Sequence, residues 1–194
     1  MPKEDLSVAV AEKYFGDGKV HFVSGPKLRY HRNNVEEKKK LVPSRRIPLS
    51  EVDREMMALS TETSVQSPDW WRQVGGVLVV KDGLRIVGYN EHQPHEQVAS
   101  ALGDPRSIYK SGVRTDITYG DHAEHVVIGE AARRGISTDE STMYLTCFPC
   151  LACARLLARA GVKKLFYRDP SYGLLDADLE LRGRKVELIE VSDE

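Results

Sequence analysis

Residues 142–167 read TMYLTCFPCLACARLLARAGVKKLFY, and this run decides the architecture. It opens on β-forming residues, Thr142 to Thr146, and reaches Pro149 with a C-x-x-C pair at Cys150 and Cys153. Alanine- and leucine-rich sequence then leads to Gly161, and Lys164–Tyr167 is β-forming again. The pattern predicts strand, helix, strand, with the helix over Cys150–Ala160. Gly161 stands where a left-handed residue ends a helix. Pro149 is expected at the first helical position, where a missing N–H costs nothing. A similar unit precedes it: a helix over His122–Arg134, closed by Gly135. Beyond it come a short helix near Leu174–Leu181 and a last strand, Lys185–Val191.

Farther upstream, VGGVLVVKDGLRIVGYN (74–90) reads as two strands joined at Lys81-Asp82-Gly83, a hairpin signal. Before it, Ser50 is a plausible N-cap, with Glu51 and Asp53 placing negative charge in the first turn of a helix. Val52, Met56, Leu59 and Thr63 follow helical spacing, and Met57 adds to the face. The stretch 91–120 is polar and rich in Gly, Pro, Ser and His, too long for a plain connection. A hairpin followed by alternating helices and strands implies a mixed sheet covered by helices on both faces.

Residues 1–49 differ in texture. Lys27–Arg46 carries eight Lys/Arg against two Glu, and Pro43 and Pro48 punctuate its end. A solvated arm is the plain reading and a phosphate-contacting arm its alternative. Gly16, Gly18 and Gly25 fit no phosphate-loop spacing. The expected division is therefore 1–49 as an N-terminal extension and 50–194 as the main domain. The net charge of -1 gives no general pull toward nucleic acid or anionic membrane. No apolar run approaches the ~20 residues of a membrane span, and the start lacks a secretory h-region. Three cysteines, two of them in one C-x-x-C, point to a reduced compartment and a metal or redox role. A cytoplasmic location is expected.

The chemistry concentrates in His122-Ala123-Glu124 and Pro149-Cys150-Leu151-Ala152-Cys153. One imidazole and two thiols make three zinc ligands, and a catalytic zinc leaves its fourth position to water. Each half of the motif opens a predicted helix, whose positive end favours thiolates. Residues two apart diverge in mid-helix, so His122 and Glu124 can share a site only at a helix start. A thioredoxin-like pair is the rival for the cysteines, but no βαβ unit leads into it. Cys147 is read as a strand-end filler. His92 and His95 are read as solvated loop histidines rather than a second metal site.

H-x-E followed by P-C-x-x-C is the signature of the zinc deaminases. From about Ser50 to the C-terminus the chain resembles the cytidine and deoxycytidylate deaminase superfamily, nearest its dCMP branch. Phe148 before Pro149, Arg72-Gln73-Val74-Gly75 and Gly88-Tyr89-Asn90 carry that likeness. The resemblance implies a three-layer α/β/α sandwich with a mixed five-stranded sheet. It implies a zinc cofactor held by His122, Cys150 and Cys153, with Glu124 as the proton carrier. It implies a small nucleotide substrate and hydrolysis of dCMP to dUMP with release of ammonia. Another aminated heterocycle or nucleoside, or a nucleic-acid-editing activity, is the alternative; balanced charge and the lack of an aromatic-basic groove weigh against nucleic acid. Asn90 is implied at the sugar, the Ala123 N–H at the pyrimidine carbonyl, and Phe148 and Tyr172 near the pocket. Arg72 is the candidate for a phosphate, because a guanidinium can bind one through two bonds; the rival reading packs it beside Trp70 or Trp71. Relatives commonly assemble as homo-oligomers. Val126 departs from the branch, which carries Asn there.

Overall fold

A computed structural model of the protein describes residues 13, 41–45, 48–69, 72–105, 118–170 and 176–191. The chain divides into two compact units, Met1–Glu37 and Lys38–Glu194, and the second holds the whole sheet. In the first unit Lys13 is helical.

The second unit begins with helix α1 (Glu51–Ser64), followed by strands β1 (Gly75–Val79), β2 (Arg85–Tyr89) and β3 (Glu91–His92). A short helix α2 (Val98–Leu102) and strand β4 (Gly120–Asp121) come next. The rest alternates: α3 (Ala123–Arg133), β5 (Thr142–Cys147), α4 (Leu151–Arg159), β6 (Lys164–Asp169), α5 (Ala177–Gly183) and β7 (Glu187–Glu190). Five strands form one sheet in the order β2-β1-β5-β6-β7. β1 runs antiparallel to both β2 and β5, whereas β5, β6 and β7 are mutually parallel. The mixed sheet expected from the hairpin and the later helix–strand units is present.

Alternation along the strands separates two cores. Val77, Tyr144, Phe166 and Ile189 pack with Met56 and Met57 of α1. Leu78, Met143, Leu145, Leu165 and Leu188 face the other way, toward Val127, Leu157 and Leu181 of α3, α4 and α5. With period-two side chains, each strand feeds both layers, and three layers result.

Local signals account for most element ends. Ser50 caps α1, its hydroxyl accepting from the Asp53 N–H at 3.1 Å. Gly135 and Gly161 have φ of 66° and 87°, the left-handed ends expected after α3 and α4. The face of α1 differs from its sequence reading. Val52 points to solvent, while Met57, Ser60 and Ser64 are buried. Small residues win that side because α1 lies directly on β1: a Cβ at Gly75 would sit 1.9 Å from the Ser60 carbonyl oxygen. Pro149 also moves from its expected place. Cys150 is the extended N-cap of α4, so the proline lies one residue outside the helix.

The 91–120 region contains more structure than a polar loop: β3 pairs with β4, and α2 stands between them. At the other end of the sheet, residues 41–45 lie along β7. The Ser44 N–H donates to the Leu188 carbonyl at 2.8 Å, and Arg45 pairs in parallel with Ile189. The Arg182 guanidinium donates to the Val42 carbonyl. Among the described residues no helix is long and apolar enough to cross a membrane.

Candidate active site

The site forms where α3 and α4 begin. His122 and Cys150 are the N-caps of these two helices, both with extended backbone. Glu124, already inside the first turn, has helical geometry. That change of conformation between cap and helix lets residues two apart face one site. Glu124 is 4% exposed and shares a hydrogen bond with the Cys153 thiol.

His122, Cys150 and Cys153 bring one donor atom each to within 4.8 Å of one another. His122 Nδ1 lies 3.2 Å from Cys153 Sγ and 3.7 Å from Cys150 Sγ. A tetrahedral zinc with ordinary bond lengths needs its nitrogen and sulfur donors about 3.5 Å apart. The set therefore fits a zinc site. No other group of three or more metal-ligating side chains occurs among the described residues.

The electrostatics belong to a tightly coupled cluster. Hydrogen bonding from Cys153, with help from His122, pulls the Cys150 thiol down to about 4. The bond to Cys150 raises His122 to about 9, against the opposing effect of burial. Cys153 is pushed up, first by its bond to Cys150. Burial raises the Glu124 carboxyl above the usual carboxylate range, which suits a group that must take up and release a proton. Cys147 stays outside this set. Its thiol is pushed up to about 12 by burial and accepts from Arg72 Nη1 at 3.0 Å.

A cleft enclosing about 60 Å³ opens beside the metal cluster. Of the residues expected there, Arg72, Asn90, Ala123, Glu124 and Phe148 line it, with His122 and Cys150. Tyr172 lies outside the described residues, as do Trp70 and Trp71. Asn90 has structural work as well: its Oδ1 accepts from the Val74 N–H at 2.7 Å, and its Nδ2 donates to the Arg72 carbonyl at 2.9 Å. Arg72 holds Cys147 and lies 3.6 Å from Asp169. Phe148 meets Tyr167 edge to face at 4.8 Å. Val126 faces away from this cleft, and a Cβ at Gly88 would come within 2.9 Å of it. Its departure from Asn thus falls on packing against β2.

Sequence reading missed five members of the cleft wall: Asp69, Val74, Thr118, Gly120 and Cys147. For Asp69 the turn-rich Ser67-Pro68-Asp69 was a faint signal. One expectation is corrected outright. His92 is buried rather than solvated, with Nδ1 2.9 Å from the Glu96 carbonyl oxygen, because β3 carries it inward. His95 is exposed as expected.

The sequence profile of the cytidine and deoxycytidylate deaminase zinc-binding region matches residues 50–168. The chain belongs to that family. Within this deaminase family, the deoxycytidylate deaminase of Enterobacteria phage T4 is 50% identical over 46 residues, 24% of either chain. A probable deoxycytidylate deaminase of Caenorhabditis elegans is 28% identical over 120 residues, 58% of this chain and 55% of the worm protein. The matches thus span from a quarter to about half of these relatives' lengths. Crystal structures of the dCMP deaminase of cyanophage S-TIM5, without ligand and with dCMP and dUMP, are 25% identical with a TM-score of 0.56. They match 74% and 75% of this chain and 100% of the phage chain. The fold is the α/β cytidine deaminase-like fold of that structure.

Proposed function

We propose that the protein is a zinc-dependent hydrolytic deaminase of a cytosine nucleotide, converting dCMP to dUMP and ammonia. The observation that carries this reading is Glu124: a buried carboxyl at a helix start, touching one thiol of a three-donor zinc set. The cyanophage enzyme crystallised with dCMP and dUMP supports the choice of base and sugar.

His122, Cys150 and Cys153 would hold the zinc. When bound, that ion lowers the pKa of a water to about 7 and so supplies the nucleophile. Glu124 takes the water's proton as its oxygen bonds to the base carbon that bears the amine. The carboxyl passes that proton to the ring nitrogen, then takes the second from the newly formed hydroxyl and gives it to the departing amine, so one water enters and one ammonia leaves. Ala123, at the first position of α3, offers a backbone N–H that has no acceptor inside the helix and suits the pyrimidine carbonyl. Phe148 gives the ring an apolar wall. Arg72 is the cation for the phosphate, and Asn90 fixes the 72–74 segment while meeting the sugar side of the cleft.

The working enzyme is a cytoplasmic homo-oligomer of a domain spanning 50–194, with 1–49 as an extension. The start of the family match at residue 50 supports the boundary. The test is ammonia release from dCMP, CMP, dCTP, cytidine, guanine and single-stranded oligonucleotides. dCMP is expected to be the fastest; activity confined to oligonucleotides would overturn the reading.

A further inference from the structure

Behind the cleft lies a buried pair that the zinc chemistry does not use. Asp69 and His92 have side chains only 3% and 4% exposed. His92 Nδ1 faces the Glu96 carbonyl oxygen at 2.9 Å, and a carbonyl can only accept, so Nδ1 carries a hydrogen. Its Nε2 is buried without a hydrogen-bond partner among the described residues and lies 3.7 Å from Asp69 Oδ2. The Nε2 edge of the ring thus packs directly against the carboxylate inside the fold. Asp69 is held from the front too, its Oδ1 accepting from the Arg72 N–H at 3.1 Å.

The carboxylate so fixed contributes to the cleft wall alongside Arg72, Thr118 and Gly120. Gly120 keeps the approach low: a Cβ there would lie 3.1 Å from Thr118 Oγ1 and 3.7 Å from Asp69 Oδ2. A phosphate oxygen is an acceptor, so it is drawn to Arg72 and repelled by Asp69. On a deoxyribonucleotide with a 5′-phosphate, the sugar group able to donate to a carboxylate is the 3′-hydroxyl. We infer that Asp69 accepts a hydrogen bond from the substrate's 3′-hydroxyl, and that His92 is a positioning residue holding the carboxylate from behind. This rests on the nucleotide reading above.

The test compares kcat/KM of the zinc-loaded full chain for dCMP and for its 2′,3′-dideoxy analogue, which lacks that hydroxyl. Wild type is expected to favour dCMP by about 10- to 100-fold, as befits a bond to a charged acceptor. Asp69→Ala should shrink the ratio to near unity with zinc content unchanged. Asp69→Asn, which keeps the shape and a neutral acceptor, should give an intermediate ratio and covers the case in which alanine does not fold. His92→Gln keeps a polar group against the carboxylate and should keep the ratio, whereas His92→Leu should lower it through KM rather than kcat. A wild-type ratio near one, or a ratio unmoved in both Asp69 variants, overturns the inference while leaving the nucleotide reading intact. Inactivity of wild type on both nucleotides, with turnover of another base, overturns both.

Discussion

Glu124 can be separated experimentally from the metal it serves. Glu124→Gln keeps the side chain's volume and removes only its ability to carry a proton. Zinc content and melting temperature should stay close to wild type, while kcat falls by at least the ~10²–10⁴-fold that general acid–base catalysis contributes. Near-normal turnover would end the assignment. The thiols divide in the same way. Cys150→Ala should lose zinc and stability together, since metal binding couples to folding. Cys147→Ser should retain zinc, because its thiol lies against Arg72 and outside the ligand cluster. These roles were legible in the chain because H-x-E and C-x-x-C hold chemistry within a few residues. Asp69 and His92 were not: they meet across 23 positions, one before the hairpin and one after it, each in a polar stretch that resembles solvent-facing loop. Spacing reports local geometry, and this pair is made by tertiary packing.

At the scale of elements, caps and end glycines were the dependable signals, and helix faces the less dependable. Periodicity alone favoured Val52 over Ser60 and Ser64, because it weighs hydrophobicity and not backbone approach. The difference can be measured at two glycines. Gly75→Ala would drive a methyl into the Ser60 carbonyl, and overpacking of this kind costs about 1–3 kcal/mol or more. Gly129, within α3, has no heavy atom within 4 Å of its would-be Cβ. Gly129→Ala should therefore stabilise by about 0.5–1 kcal/mol through helix propensity. Chemical denaturation of both variants checks the pair, and an equal effect of both would show that α1 does not press on β1 as described. Both glycines look alike in the sequence; what separates them is the neighbour each has in space.

For the molecule as a whole, the mixed sheet was readable because a hairpin and three helix–strand repeats admit few arrangements. The zinc set joins the starts of α3 and α4, two helices of the same layer, so metal and fold should stand together. Prolonged chelation is expected to lower the melting temperature and restored zinc to recover it, more readily at pH 8 than at pH 6, since the ligands must shed protons to bind. An unchanged melting curve after verified zinc removal would contradict this. The segment at 41–45 carries a last consequence. With the Ser44 and Arg45 N–H groups donating to the Leu188 carbonyl and Arg45 paired with Ile189, the rim of the sheet at β7 is closed by the chain itself. A protein trimmed to begin at Ser50 would keep every residue of the family match yet bare a row of backbone amides and carbonyls, a template for pairing with any stray strand. Such a truncation should remain able to bind zinc but clump at concentrations where the full chain stays clear, as turbidity would show. The tail end of the extension thus works as a selvedge, keeping the woven edge from catching on its neighbours.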